Sequence, residues 1–131
     1  VGPSAPPIRT RFGWLNIFHG VRSTMAGHPY TLGVAFHDLE DPLDPMKTRI
    51  SAKPLLMPTL SDCRVAATDY IHVPNVVFSC GALAGLDDTI AIYYGGNDTV
   101  MNVGLANTLV LNEMCDLFRL NPLTGEHRYS I

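Results

Sequence analysis

Apolar and polar positions alternate most cleanly from Thr89 to Tyr94. Ile90, Ile92 and Tyr94 fall on one face, Ala91 and Tyr93 on the other, which is the two-residue period of a strand. The apolar run upstream, beginning at Val73, predicts a preceding strand, with Leu86-Asp87-Asp88 as the turn between them. Gly95-Gly96 predicts the end of the second strand, because glycine alone moves freely into φ > 0. Asn97 and Asp98 are then displayed beyond the hydrogen-bonded ladder. A polar pair held this way by a rigid strand is a means of presenting chemistry to a cleft.

The rest of the chain follows the same logic. Val1–Pro7 is too rich in proline for a helix or a central strand. Ile8–Thr10 predicts a short strand and Arg11-Phe12-Gly13 a tight turn. Trp14–Val21 predicts a strand with Trp14, Asn16, Phe18 and Gly20 on one face, and Trp14 is expected to be packing. Arg22–Pro29 reads as a loop and Tyr30–Phe36 as a strand. The acidic, proline-broken His37–Met46 reads as a surface turn. Lys47–Ser51 suits a short outer strand, and Ala52–Thr68 is irregular. Thr99–Ala106 predicts a further strand. Leu109–Phe118 carries apolar residues three and four apart, the spacing of a short helix, and the polar tail Arg119–Ile131 is expected to be peripheral.

The order contains a repeat. Gly13–Gly20 lies over Asp88–Gly95 and Tyr30–Ala35 over Met101–Ala106, a period of roughly seventy residues that exceeds the WD40 and kelch spacings. Each copy reads as an antiparallel meander, the anatomy of a β-propeller blade. The expected organisation is a partial propeller domain over 1–131, with blades at 1–72 and 73–118 and a tail at 119–131. Two blades cannot close a ring, so apolar sheet faces should stay exposed. The repeat sets His19 opposite Tyr94, each before a strand-ending glycine. His19, Tyr94 and Asp98 are thus expected to meet at one cleft.

Composition narrows the class. The chain has 131 residues, enough for one domain with its own core, and its 47% apolar content excludes disorder. Its 16% charged residues fall below the usual value of about 25%, which implies surface covered by another part of a larger protein. A net charge of −3 gives no argument for nucleic acid or an anionic membrane, and the apolar runs are too short to span a bilayer. Cys63, Cys80 and Cys115 form no CxxC pair, so a reducing, cytoplasmic setting is the default reading. Cys80, within a strand expected to be buried, reads as an inert apolar residue. His28, His37 and His72 share no metal-ligand spacing, so no metal is expected. Asp87-Asp88 reads as a solvated turn. The chain opens at Val1 without an initiator methionine, and a fragment of a longer protein is the expectation.

The segments GWLNIFHGV, YTLGVAFHDLEDP, VPNVVFSCG and IYYGGNDT resemble the C-terminal portion of glycoside hydrolase family 130. The resemblance runs from Val1 to about Phe118, in the family's order and spacing. It implies an all-β fold, the C-terminal blades of a five-bladed β-propeller with a short C-terminal helix. It also implies inverting phosphorolysis of β-mannosides, of the β-1,4-mannosyl-glucose or β-1,4-mannooligosaccharide type, giving α-mannose 1-phosphate. Inorganic phosphate is the co-substrate, and no cofactor is implied. His19, in FHGV, matches the family's phosphate-binding histidine. Asp98, closing IYYGGND, matches the aspartate that binds hydroxyls of the transferred mannosyl unit. Tyr30 in YTLG lies near the acceptor sugar in this reading, and Phe78 adds an apolar wall. No catalytic residue is expected in this chain: the general-acid aspartate and the phosphate-binding arginines belong to upstream blades, and a phosphate-binding lysine is expected at or just before Val1.

Phe18, Ser79 and Thr31 depart from the family's tyrosine, proline and arginine, which bears on acceptor preference more than on reaction type. Two alternatives stand: a β-mannoside hydrolase of the same family, and a non-catalytic sugar-binding propeller module. The partners implied are a β-mannoside oligosaccharide and phosphate, with homo-oligomerisation of the full-length enzyme left open.

Overall fold

The computed structural model describes residues 1–25, 27–59, 75–117, 119–120 and 127–128. In chain order the elements are β1 (Gly2–Pro3), β2 (Ile8–Thr10), β3 (Gly13–Val21), β4 (Tyr30–His37), β5 (Arg49–Ile50), β6 (Val77–Ala84), β7 (Thr89–Gly96), β8 (Val100–Asn107), α1 (Thr108–Leu117), β9 (Arg119–Leu120) and β10 (His127–Arg128). All named strand pairs are antiparallel. The first sheet runs β1-β3-β4-β5, with β2 also on β3; the second runs β6-β7-β8; β9 and β10 form a separate hairpin.

The proline-rich start becomes an edge, not a central strand. β1 and β2 both pair with β3, Gly2 opposite His19 and Ile8 opposite Leu15. Pro6 and Pro7 lie in the gap between them, where no ladder donor is needed. The Arg11-Phe12 turn is fastened by the Thr10 hydroxyl, which donates to the Gly13 carbonyl at 2.7 Å and accepts from the Phe12 N–H at 3.1 Å. The acidic surface turn is built by Asp38, whose carboxylate accepts the N–H groups of Asp41 and Glu40 at 2.9 and 3.0 Å.

The core lies between the two sheets. Leu15, Ile17, Leu32, Val34 and Phe36 from the first meet Val77, Ile90, Ile92 and Tyr94 from the second. Leu111 and Cys115, one helical turn apart on α1, complete the cluster. Fully burying a side chain of this kind is worth roughly 1.5–3 kcal/mol. Helix α1 is started by Asn107, whose side-chain oxygen accepts the Leu109 N–H at 2.9 Å as an N-cap. The sheets are also joined by backbone. Tyr30 N–H donates to the Asn75 carbonyl at 3.1 Å, and Tyr30 forms a parallel bridge with Val76. At the opposite strand ends Arg11 donates to Asp88 at 2.6 Å.

Several sequence expectations are corrected. β7 runs through Gly95 and Gly96 without a positive φ; the turn is made by Asn97 and Asp98, at φ 51° and 50°. Short polar side chains tolerate the left-handed region, so no glycine is required there. The preceding hairpin uses the same device at Asp87 and Asp88, at φ 61° and 59°, and Asp88 is ion-paired as well as turning the chain. Cys80 is exposed, because the register shift between Ser79 and Gly81 bulges the strand at this residue. Trp14 is half-buried, since the core face of β3 is that of Leu15 and Ile17. Tyr94 belongs to the core, at 5% exposure. The Lys47–Ser51 strand shortens to Arg49–Ile50, and the tail contributes the β9–β10 hairpin. His72, Cys63 and most of the irregular 52–68 segment lie outside the described residues.

Candidate functional site

Alternation along β3 carries the core face from Leu15 and Ile17 to His19, two residues further at the end of the strand. There the apolar layer opens, and His19 is half-buried. The mirror-image argument places Tyr30 at the start of β4, two residues before buried Leu32. β3 and β4 pair with His19 opposite Leu32 and Val21 opposite Tyr30, so His19 and Tyr30 are diagonal neighbours, within reach of long and aromatic side chains. Their ring centroids are 5.8 Å apart and inclined by 28°. β6 brings Phe78 from the second sheet, 4.7 Å from His19 and 6.5 Å from Tyr30. Three of the five side chains singled out in the sequence are therefore one cluster, spanning both sheets.

The imidazole is held at its edges too. Ser4 Oγ lies 3.4 Å from His19 Nδ1. Ser4 is fixed by its own N–H, which donates to the Ile17 carbonyl at 3.2 Å. Gly2, across the ladder, lies under the Cε1–Nε2 edge: a Cβ built there would stand 2.6 Å from Cε1 and 2.9 Å from Nε2. Only glycine leaves that space to the ring. Ser4 and Gly2 escaped sequence reasoning because the contact depends on the pairing of a two-residue strand, for which a proline-rich stretch gives no periodic signal.

Asp98 is exposed, in the turn between β7 and β8. Its neighbour Asn97 is the buried partner in that turn. Asn97 N–H donates to the Val76 carbonyl at 2.8 Å, and its side-chain oxygen accepts the Val76 N–H at 3.3 Å. Since Val76 bridges Tyr30, the turn bearing Asp98 is tied by backbone to the strand that begins the aromatic cluster. Tyr94, expected at the same cleft, packs inward instead, with its ring edge 3.5 Å from a Cβ built on Gly104.

Two hollows lined by described residues lie away from the ring cluster. One of about 610 Å³ lies on the back of the first sheet, against Phe18, Ala35 and Ile50. Another, of about 380 Å³, is at the opposite strand ends, beside Arg9, Arg11 and Thr108. Among the described residues no group of three or more His, Cys, Asp or Glu side chains is placed to hold a metal ion. Among the same residues, no helix is long and apolar enough to cross a membrane.

Two antiparallel sheets stacked about a common core, with polar and aromatic side chains at one set of strand ends, are the arrangement of neighbouring blades in a β-propeller. Residues 1–119 match the glycoside hydrolase family 130 description, β-1,4-mannooligosaccharide phosphorylase, and the chain belongs to that family. It is 41% identical over 105 residues to the 1,2-β-oligomannan phosphorylase of Thermoanaerobacter sp. (strain X514), covering 80% of this chain and 32% of that protein. It is 35% identical over 116 residues to the 4-O-β-D-mannosyl-D-glucose phosphorylase of Bacteroides fragilis, covering 87% and 27%. The solved structure of the β-1,2-mannobiose phosphorylase from Listeria innocua, in complex with β-1,2-mannobiose, superposes with a TM-score of 0.69 at 30% identity, over 87% of this chain and 29% of that one. The chain thus spans about a third or less of the length of these relatives, and the expected all-β propeller fold with a short helix is the one observed.

Proposed function

We propose that the protein carrying this chain cleaves β-mannosides by inverting phosphorolysis, transferring the mannosyl unit to inorganic phosphate to give α-mannose 1-phosphate. The observation that carries this reading is the convergence of His19, Tyr30 and Phe78 at one set of strand ends in a family 130 chain. The bond from the anomeric carbon to the leaving oxygen breaks while a phosphate oxygen attacks the opposite face. Phosphate is already nucleophilic, so the protein's task is to hold it in line with donors and cations. His19 is one such donor. Asp98, acceptor-only when ionised, takes hydroxyls of the mannosyl unit. Tyr30 and Phe78 form a wall for the acceptor sugar. The proton for the leaving oxygen comes from an acid outside this chain, and no cofactor takes part.

The relatives at 41% and 40% identity are named for β-1,2-linked substrates, and those at 35% and 32% for 4-O- or β-1,4-linked ones. Both linkages therefore belong in the assay, β-1,2-mannobiose first. The intact enzyme incubated with disaccharide and phosphate should yield α-mannose 1-phosphate by phosphorus NMR. Release of free mannose without a sugar phosphate would instead identify a hydrolase. A cytoplasmic setting is part of the same reading, in keeping with the free thiols of Cys80 and Cys115.

A further inference from the structure

We propose that Asn97 is a positioning residue for Asp98, fixing where that carboxylate stands relative to Tyr30 and the ring cluster. The proposal rests on the reading of Asp98 as the group that takes the mannosyl hydroxyls. Asn97 and Asp98 follow β7 with φ of 51° and 50°, two consecutive left-handed residues of the kind that reverse a hairpin tightly. Thr99 closes the turn: its N–H donates to the Gly96 carbonyl at 3.0 Å, and its hydroxyl donates to the Asn97 carbonyl at 2.7 Å. These contacts set the shape of the turn. They do not set its place against the other strands, because a turn held only by itself moves with its hairpin.

Asn97 supplies the outside anchor. Asp98 is exposed, whereas Asn97 is 5% exposed and grips buried Val76 at two points. Its N–H donates to the Val76 carbonyl at 2.8 Å, and its Oδ1 accepts the Val76 N–H at 3.3 Å. One bond fixes a distance; two to the same residue fix orientation as well. Val76 bridges Tyr30, whose N–H also donates to the Asn75 carbonyl at 3.1 Å. The carboxylate and the phenol ring are thereby referred to one backbone point, although they belong to different sheets. Misplacing a reacting group by about 1 Å can cost about a hundredfold in rate. Asn97→Ala loses the Oδ1 bond and sets a β-carbon in the left-handed region. Asn97→Gly loses the same bond but adopts positive φ freely. The two variants differ in backbone strain and share the loss of the second grip.

The test is a double-mutant cycle in the intact enzyme, read as kcat/KM for β-mannoside at saturating phosphate. Assays run at a temperature where the circular dichroism of every variant matches wild type. Asn97→Gly should lower kcat/KM by about fivefold, within the span of one charge-assisted bond. In the Asp98→Ala background the same change should cost less than about twofold, because the group that Asn97 positions is gone. Asn97→Ala should repeat this pattern, and Asn97→Gly carries the test alone where the alanine variant does not fold. A smaller folded fraction lowers turnover by one factor in both backgrounds, so equal losses would assign Asn97 to stability alone and overturn the proposal. The single variants separate the two readings. If Asp98→Ala leaves kcat/KM unchanged, Asp98 is not a sugar ligand and the role of Asn97 falls with it. If Asp98→Ala lowers it while Asn97→Gly does not, only the Asn97 proposal fails.

Discussion

At the scale of single residues the ring cluster depends on small side chains as much as on aromatic ones, since only glycine at position 2 leaves room for the His19 ring. Asp98→Ala in the intact enzyme should lower kcat/KM for β-mannoside by at least about tenfold, the low end of one charge-assisted bond; steady-state kinetics at saturating phosphate checks this. Asp38 gives a prediction about stability. Its carboxyl is held below the ordinary range, first by the Asp41 N–H and then by the Glu40 N–H, so folding favours its charged form. That contribution is fully present above about pH 4 and is lost as pH falls through the depressed folded-state value. Asp38→Asn keeps an acceptor oxygen but cannot titrate. The Tm advantage of wild type over this variant should be constant from about pH 5 to 8 and shrink below about pH 4. The strand-end positions of His19, Tyr30 and Phe78 were legible in the sequence because each sits in a motif with a fixed place in the strand order. Ser4 was not, and Tyr94 was misread, because matching strand positions does not reveal which of them the second sheet turns into the core.

At the scale of elements, most strands were legible to within a few residues from alternation and proline placement. The place of the β7–β8 turn was legible as well, but its backbone geometry was not. Glycine drew attention to Gly95-Gly96, yet the left-handed pair is Asn97-Asp98, and its anchor is a side-chain bond invisible in a one-dimensional pattern. Asn97→Ala loses both the Val76 bond and the tolerance for φ 51°, and should cost about 1–3 kcal/mol in urea unfolding. Asn97→Gly, which relieves only the backbone term, should recover part of that loss. On β4, a Cβ at Gly33 would stand 2.6 Å from the Phe18 ring. Gly33→Ala should destabilise by about 1–3 kcal/mol through overpacking. Combining it with Phe18→Leu should be less damaging than the sum of the two, as unfolding of the four proteins in a double-mutant cycle would show.

At the scale of the molecule, the internal repeat made two stacked sheets legible. It did not reveal how differently the equivalent strands are covered: Leu32 and Val34 are fully buried, whereas their counterparts Val103 and Leu105 are 55% and 75% exposed. The first sheet has a neighbour over that face, and among the described residues the second does not. Met101, Val103 and Leu105 with Leu83 and Tyr93 leave an apolar surface of the kind that associates. The chain expressed alone should therefore self-associate in light scattering, and Val103→Lys with Leu105→Lys should reduce it. The seam where Tyr30 meets Asn75 and Val76 has a consequence for inheritance. One ring of the trio is borne by the far side of that seam, so spacing between the two halves is coupled to the shape of the ring cluster. A residue gained or lost beside Val76 would reverse which way Phe78 points, so this joint should accept substitution far more readily than insertion or deletion.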